Sequence, residues 1–247
     1  MTTIIDGYTT PGTERETKLS PEDLLREMDA AGIGRAVIAP QDREIAVRNE
    51  EGNCRISDIA RRSGGRFIPA CSVNPWHGSA AISLLDEAAE MGAKVLVLAP
   101  ALQGFILTDE VTDELLARAG HLRLPVYIHT GPHCSAAPTQ VVLVAQRFPE
   151  TQFILGHGGT TDHAYDMSPI LRAHRLDNLW FELSFIRPWA IPSMLDTCGS
   201  DRFVYGSSAP RQSQAFELHY LKQKMPIEDY PGPYGGNLRR LLGEEES

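Results

Sequence analysis

Short runs of apolar residues alternate with amphipathic segments along most of the chain. Each run is rich in Val, Ile, Leu or Phe and ends near glycine, proline or a polar residue, which predicts a strand buried on both faces of a parallel sheet. Eight such strands are predicted, at Ile4–Asp6, Arg35–Ala39, Phe67–Val73, Lys94–Leu98, Pro125–Gly131, Gln152–Gly156, Leu179–Leu183 and Phe203–Gly206.

The segments between these strands carry apolar residues at helical spacing and have recognisable helix ends. In the first segment, Ser20 is a capping residue, Pro21 suits the first helical position, and Gly32 follows the expected last residue, Ala31. Further helices are expected at about Asn53–Arg62, Gly78–Met91, Thr108–His121, Pro138–Phe148, about Asp166–His174, Pro192–Cys198, Phe216–Lys222 and Asn237–Leu242.

Strands that alternate with helices favour the α/β class, and eight of them predict a (β/α)8 TIM barrel. Such a barrel commonly takes about 250 residues, and this chain has 247. No internal repeat and no break in composition divides the sequence. We therefore expect a single domain over residues 1–247.

Composition narrows the range of partners. The formal net charge is −9, and no stripe of Lys and Arg interleaved with aromatic residues is present, so we expect no nucleic acid as a partner. No run is apolar enough to cross a bilayer and the amino terminus lacks a signal-peptide pattern, so we expect a cytoplasmic protein without membrane association. The cysteines are widely scattered, which is typical of reduced thiols: Cys54, Cys71, Cys134 and Cys198.

Two histidines at strand ends give the first chemical signal. His129 stands at the end of one predicted strand, before Gly131, and His157 directly follows the strand Gln152–Gly156. Because the loops after the strands of a barrel share one face, both side chains are expected at the same mouth. Either histidine alone is equally well explained as a hydrogen-bonded core residue, but the pair favours a shared site with acid and base roles near neutral pH.

The same rule places other polar side chains at the mouth. Tyr8 is a candidate phenolic donor and Ser208 a hydrogen-bonding group, whereas Arg187 could pair with a substrate carboxylate or simply lie on the surface. Glu182 is either a base in the cavity or, if the strand phase differs by one residue, directed towards the helices. The candidates for substrate binding are Thr10, Trp76, Gln103, Glu182 and Arg187, and Gln41, Asp42, Asn74 and His133 complete the rim.

Several short motifs are distributed along nearly the whole chain, each occurring once. They are Ile4-Ile5-Asp6, Pro100 to Phe105, Pro125 to Gly131, Phe148-Pro149 leading into Gly156 to Gly159, Tyr205-Gly206-Ser207 before Pro210, and Tyr234 to Gly243. In this order the sequence resembles the amidohydrolase superfamily, in particular amidohydrolase family two, the branch related to aminocarboxymuconate semialdehyde decarboxylase. The resemblance implies a barrel enzyme with a small-molecule substrate, and a homodimer as the common assembly.

The resemblance also implies a divalent metal site, most of which this chain has replaced. Relatives open with D-x-H-x-H, whereas this chain has Tyr8 and Thr10 at the two histidine positions. The aspartate of the relatives' G-S-D-x-P motif is Ser208 here, and a hydroxyl cannot replace that carboxylate as an anionic ligand or base at neutral pH. Strand four of relatives often carries a lysine and a histidine in a G-V-K-L-H-P motif, whereas this chain has the apolar stretch Leu96–Pro100.

His129 and His157 are what remains of that ligand set. Catalytic zinc generally takes three protein ligands, so a metal here would need help from Glu182, His133 or Cys134. We therefore expect no cofactor, with one divalent metal such as zinc on His129 and His157 as the alternative.

Three classes of function stay open. The favoured one is an enzyme that acts on a small organic acid or related metabolite without metal, by decarboxylation, cyclisation, dehydration or hydrolysis of an activated substrate. In it, His129 and His157 would be the general acid and base, assisted by Tyr8 and Ser208. The others are a metal-dependent hydrolase or decarboxylase with an atypical ligand set, and a non-catalytic ligand-binding barrel. A nucleophilic Cys134 is a further, weaker alternative.

Overall fold

All eight predicted strands are present, and they form one parallel sheet whose strand order is the order of the chain. The computed structural model describes residues 3–130, 135–159, 176–187 and 189–244. The barrel strands are β1 (Ile4–Thr9), β2 (Ile33–Ile38), β3 (Phe67–Cys71), β4 (Val95–Leu98), β5 (Val126–Ile128), β6 (Phe153–Leu155), β7 (Leu179–Glu182) and β8 (Phe203–Val204).

Backbone hydrogen bonds between β1 and the segment after β8 close the sheet into a barrel. The amide of Gly7 donates to the carbonyl of Tyr205 at 2.8 Å, and the amide of Thr10 donates to the carbonyl of Ala209 at 2.8 Å. The prediction of a single (β/α)8 barrel is therefore confirmed.

Helices alternate with the strands on the outside of the barrel. They are α1 (Pro21–Ala31), α2 (Asp42–Ala46), α3 (Asn49–Arg62), α4 (Ser79–Glu90), α5 (Pro100–Gln103), α6 (Asp113–His121), α7 (Pro138–Arg147), α8 (Ala190–Cys198), α9 (Gln214–Lys224) and α10 (Gly236–Leu241). A short hairpin pairs Gly12–Thr13 with Lys18–Leu19 between β1 and α1. None of the helices in the described part of the chain is long and apolar enough to cross a membrane.

The ends of α1 follow the predicted chemistry. The amide of Asp23 donates to Ser20 Oγ at 3.0 Å, and Gly32 ends the helix in the left-handed conformation at φ 73°. Helix α3 begins at Asn49, before the predicted start at about Asn53, and it includes Gly52 as a packing residue. A Cβ at Gly52 would lie 2.6 Å from Cβ of Glu44, so the glycine lets α3 approach α2 closely.

Other boundaries move by small amounts. Strand β1 is longer than predicted and includes Tyr8, which therefore lies in the strand and not in the loop that follows, at a register shift between Asp6 and Thr9. Helix α8 begins at Ala190 and holds Pro192 in its first turn, where a missing amide hydrogen is tolerated. The helix predicted at Asp166–His174 lies outside the described residues.

Alternate residues of each strand belong to two different apolar layers, one inside the barrel and one between the sheet and the helices. In β4, Val95 and Val97 point into the barrel, whereas Leu96 and Leu98 pack against the surrounding helices. The same alternation in β7 puts Trp180 in the barrel interior. The interior is filled mainly by Ile5, Val37, Ile68, Ala70, Val95, Val97, Tyr127, Ile154, Trp180 and Val204.

Glycines make room for one acidic side chain inside this barrel. A Cβ added at Gly206 would lie 1.9 Å from Oε1 of Glu182, and one at Gly156 would lie 2.6 Å from the hydroxyl oxygen of Tyr127. A Cβ at Gly7 would meet Val204 at 2.6 Å. The absence of a side chain at Gly206 and Gly156 is therefore a steric requirement for placing Glu182 and Tyr127 inside the barrel.

Replacing Gly206 by alanine tests this requirement. We expect Gly206→Ala to lower the free energy of unfolding by about 1–3 kcal/mol, because the new methyl group overpacks against the buried Glu182 side chain. Urea unfolding followed by circular dichroism measures the change. Gly236→Ala is the matched control, since a Cβ there meets nothing within 4 Å, and its stability should stay close to that of the wild type. Equal stabilities for the two variants would contradict the packing argument.

Candidate active site

His129 stands at the carboxyl end of β5, where it is partly exposed. Its Nε2 lies 2.6 Å from the hydroxyl oxygen of Tyr8, and the two rings meet edge to face with centroids 4.9 Å apart. The ring of Tyr8 stacks on Tyr127, with centroids 4.4 Å apart and planes 12° from parallel. Stacking in the barrel interior thus fixes the phenol that contacts His129.

His157 follows β6 and contacts His129 directly. Its Nε2 lies 3.3 Å from Nδ1 of His129, and its Nδ1 lies 2.8 Å from Oγ of Ser184. His157 has φ 60° and ψ 26°, a left-handed conformation that is uncommon for residues other than glycine and is often found at functional sites. The structure therefore brings together the two histidines that the sequence predicted to meet.

The far end of this contact chain is Glu182, which is completely buried inside the barrel. Its Oε2 accepts hydrogen bonds from the Tyr127 hydroxyl at 2.8 Å, the Ser184 hydroxyl at 2.9 Å and the His157 amide at 3.0 Å. Its Oε1 accepts the Ser184 amide at 2.8 Å. Of the two orientations left open by the sequence, the inward one is the orientation found.

Burial controls the protonation of these groups. It lowers the pKa of His157 to about 4 and that of His129 well below its ordinary value, and the positive charge of Arg211 acts in the same direction on both. Burial raises the pKa of the Tyr8 hydroxyl well above its usual range. At neutral pH, both imidazoles and the phenol are uncharged, so they can exchange protons without adding charge to the site.

A cavity of about 230 Å³ opens beside His129. It is smaller than the roughly 300–1,000 Å³ of pockets that hold drug-sized ligands, so it suits a small metabolite. Its wall combines apolar and polar side chains, which are Ala99, Ala101, Leu102, Ala136, His129, Thr130, Asp42 and Arg211.

Arg211 is the residue on this wall that sequence reasoning missed. Its guanidinium group pairs with Asp42 and lies 3.8 Å from a carboxylate oxygen of Glu14. The signal that could have found it is its position directly after Pro210, the last residue of the strand-eight motif. Ser184 and Tyr127 were missed as well, although each stands two residues from a predicted site residue, on the same face of its strand or strand end.

Ser208 and Thr10 help to close the barrel with their backbones. The amide of Ser208 donates to the carbonyl of Tyr8 at 3.0 Å, and Ser208 has φ 58°, another left-handed residue at the mouth. The Thr10 hydroxyl donates to the carbonyl of Ala209 at 3.5 Å. Both side chains are buried beside the site, but neither is among the residues that line the cavity.

Three other candidates lie away from the cavity wall. Both ends of the Gln103 amide bind backbone, since its Oε1 accepts the Ala99 amide at 2.9 Å and its Nε2 donates to the Val73 carbonyl at 2.9 Å. Trp76 is 59% exposed and donates through Nε1 to the carbonyl of Gly104. Arg187 is exposed in the loop after β7. These positions favour structural or surface roles for all three.

The described donors do not match a catalytic metal centre. Within the described ranges, no group of three or more His, Cys, Asp or Glu side chains is placed to hold a metal ion, whereas catalytic zinc generally takes three protein ligands. Both ring nitrogens of His129 already contact Tyr8 and His157. A metal on these histidines would have to displace such contacts and recruit another ligand. The candidates His133 and Cys134 lie outside the described residues.

This arrangement of strand-end side chains in a (β/α)8 barrel is accompanied by a direct family match. The family model described as Amidohydrolase (Amidohydro_2) matches residues 9–243. The chain therefore belongs to this amidohydrolase family, as its motifs predicted. No curated protein matches the sequence.

Solved structures with the same fold share little sequence with this chain. An uncharacterised TIM-barrel protein from Bordetella bronchiseptica is 18% identical, with a TM-score of 0.78 and coverage of 98% of this chain and 99% of that one. A 2,6-dihydroxybenzoate decarboxylase from Rhizobium is 14% identical, with a TM-score of 0.76 and coverage of 98% and 99%. A 5-carboxyvanillate decarboxylase from Novosphingobium aromaticivorans, complexed with manganese and 4-hydroxy-3-methoxy-5-nitrobenzoic acid, is 16% identical, with a TM-score of 0.78 and coverage of 98% and 96%.

Further acidic side chains are buried near Glu182. Burial raises the pKa of Glu217 to about 7, and the charges of Glu182 and Asp6 add to the effect. Burial also raises the pKa of Asp6 to about 6, although hydrogen bonds from Ser207 and Gln214 oppose it. A carboxylate with a raised folded-state pKa costs stability once the pH is high enough to ionise it.

We expect Glu217→Gln to stabilise the protein at pH 8 and to have a much smaller effect at pH 4. The folded-state pKa of Glu217 is about 7 and its ordinary value is 4.5, so the folded state binds more protons between these values and wild-type stability falls as pH rises through them. Urea unfolding at several pH values from 4 to 8 measures the difference. Glu90→Gln, at an exposed position of α4, should show no such trend. A stability difference between Glu217→Gln and the wild type that does not change with pH would contradict the raised pKa of Glu217.

Proposed function

We propose that this amidohydrolase-family barrel transfers a proton on a small organic acid, with decarboxylation as the favoured reaction. The observation that carries the proposal is the hydrogen-bonded set Tyr8, His129 and His157, which reaches the wall of the 230 Å³ cavity at His129. Two solved structures of the same fold are decarboxylases of aromatic acids by their names, which supports this reaction over the other proton-transfer reactions open to such a site.

Decarboxylation needs a proton donor at the carbon that loses CO2. The proton bonds to this carbon, the bond to the carboxylate breaks, and its electron pair stays with the substrate while CO2 leaves. The Tyr8 hydroxyl and His129 Nε2 share one proton across 2.6 Å, and His129 lines the cavity. We assign the transfer of this proton to the substrate carbon to His129, with the Tyr8 hydroxyl as its source and His157 as the group that holds the other side of the His129 ring; a proton from solvent then restores Tyr8.

Arg211 is the group we propose for holding the substrate carboxylate. A guanidinium fork matches a carboxylate geometrically and stays charged at all physiological pH values. Arg211 already pairs with Asp42 on the cavity wall, so a substrate carboxylate would take the place of this aspartate. Arg187, the arginine predicted for this role from sequence, is not among the residues that line the cavity, whereas Arg211 is.

We further propose that the reaction runs without a metal ion, because the described donor set offers two imidazoles whose nitrogens contact other protein groups. The second candidate is a metal-dependent decarboxylase in which His129 and His157 bind one divalent ion. The manganese in the 5-carboxyvanillate decarboxylase of the same fold favours this candidate. The cytoplasmic location and the homodimer stay predictions.

Substitution of the two arginines tests the substrate-binding proposal. We expect Arg211→Gln to raise KM for an aromatic carboxylic acid about tenfold or more, because a hydrogen bond to a charged group contributes about 1.5–3 kcal/mol. Steady-state assays of CO2 release measure KM and kcat. Arg187→Gln should leave KM near the wild-type value, and the opposite pattern would assign the carboxylate to Arg187.

Chelation tests the metal-free proposal. Protein dialysed against a chelator and assayed with a panel of small hydroxybenzoic acids should keep its activity, and added manganese should not raise it. His129→Ala should lower kcat about 100-fold or more, since general acid–base catalysis contributes about 10²–10⁴, whereas the exposed His219→Ala control should not change it. Loss of activity on chelation with recovery on adding manganese would establish the metal-dependent candidate. Binding of the acids without turnover would indicate a non-catalytic barrel.

A further inference from the structure

The contacts at the site form one continuous chain of hydrogen-bonding groups. It runs from the Tyr8 hydroxyl to His129, then to His157, then to the Ser184 hydroxyl, and ends at Oε2 of Glu182. The distances along it are 2.6, 3.3, 2.8 and 2.9 Å in that order. Each interior member has one hydrogen to donate, so the direction of one bond determines the direction of the others.

The carboxylate end sets the direction. Glu182 receives two backbone amides, of His157 and Ser184, and these groups can only donate. It also receives the Tyr127 hydroxyl. These three donors favour the ionised form of the carboxylate, although burial raises its pKa, and an ionised carboxylate has no hydrogen to give to Ser184. The Ser184 hydrogen therefore points at Glu182, and its oxygen is left to accept from the imidazole of His157.

The remaining bonds follow from this assignment. If Ser184 Oγ accepts, then Nδ1 of His157 carries the ring hydrogen and its Nε2 is an acceptor. Nδ1 of His129 must then carry a hydrogen to donate to His157, which leaves Nε2 of His129 as an acceptor for the Tyr8 hydroxyl. The reverse order would point the Ser184 hydrogen at His157 and leave two oxygen acceptors 2.9 Å apart with no hydrogen between them.

We propose that Glu182 and Ser184 are positioning residues that hold both His129 and His157 in the Nδ1–H tautomer. In this state, Nε2 of His129 faces Tyr8 as an acceptor. The tautomers are a property of the resting protein, and only their catalytic consequence rests on the proposed proton transfer. Glu182 thus acts at a distance on the cavity, through a hydroxyl and two imidazoles, although it does not touch the cavity wall itself.

Nitrogen NMR of the resting protein tests the proposal without any substrate. Protein labelled with ¹⁵N in its histidine rings gives different signals for protonated and unprotonated ring nitrogens, so the tautomer of each histidine is read directly. In the wild type at pH 7.5, we expect protonated Nδ1 and unprotonated Nε2 for both His129 and His157, assigned with single histidine substitutions. Protonated Nε2 on either residue would overturn the proposal.

Substitutions of Ser184 then test the cause. Ser184→Ala removes the link to Glu182, and we expect both histidines to change to mixed tautomers, whereas Ser184→Thr keeps a hydroxyl and should retain the wild-type signals. Ser72→Ala is the matched control, because Ser72 Oγ is equally buried and has no hydrogen-bond partner among the described residues. Unchanged tautomers in Ser184→Ala would refute a role for Glu182.

Kinetics separate this proposal from the proposed function. If the protein decarboxylates an acid, Ser184→Ala should lower kcat with little change in KM, since Ser184 does not line the cavity. Equal kcat values for Ser184→Ala and wild type would overturn the catalytic part. If no acid is turned over, the proposed function fails, while the NMR result still decides whether Glu182 orders the tautomers.

Discussion

The buried carboxylate of Glu182 is the constraint on which the rest of the site depends. An ionised group in the interior of a barrel is costly unless hydrogen bonds replace its water. Four donors do so here, and they come from the middle of β5 and from the residues that follow β6 and β7. The space for the side chain comes from Gly206, where a Cβ would lie 1.9 Å from the carboxylate. Satisfying one charge therefore fixes the relative positions of three strands.

Two residues with strained backbone at the mouth are also held by hydrogen bonds. Left-handed conformations of residues other than glycine cost about 1–3 kcal/mol, and His157 and Ser208 both adopt one. The amide of His157 is held by Glu182, and the amide of Ser208 is held by the carbonyl of Tyr8. These conformations direct His157, two residues after β6, and Ser208, four residues after β8, towards one mouth.

The fold of this barrel and the contacts at its mouth depend on different residues. Closure and packing use backbone hydrogen bonds and small or apolar side chains. The chemistry depends on a few strand-end side chains. With Tyr8 on β1, a phenol hydroxyl lies 2.6 Å from His129, and the site becomes a set of uncharged proton donors and acceptors beside an arginine.

The sequence by itself determined the fold class, the eight strands and the pairing of His129 with His157, because short apolar runs, helix caps and strand-end positions are local or depend on barrel symmetry alone. The tertiary structure decided what these residues contact. Glu182 points inward because Trp180 does, a strand phase that the sequence left open. Gln103 binds backbone, and Arg211 reaches the cavity wall from the position just after the strand-eight motif. Long side chains and residues distant in sequence meet only once the barrel closes, so their partners cannot be read from spacing.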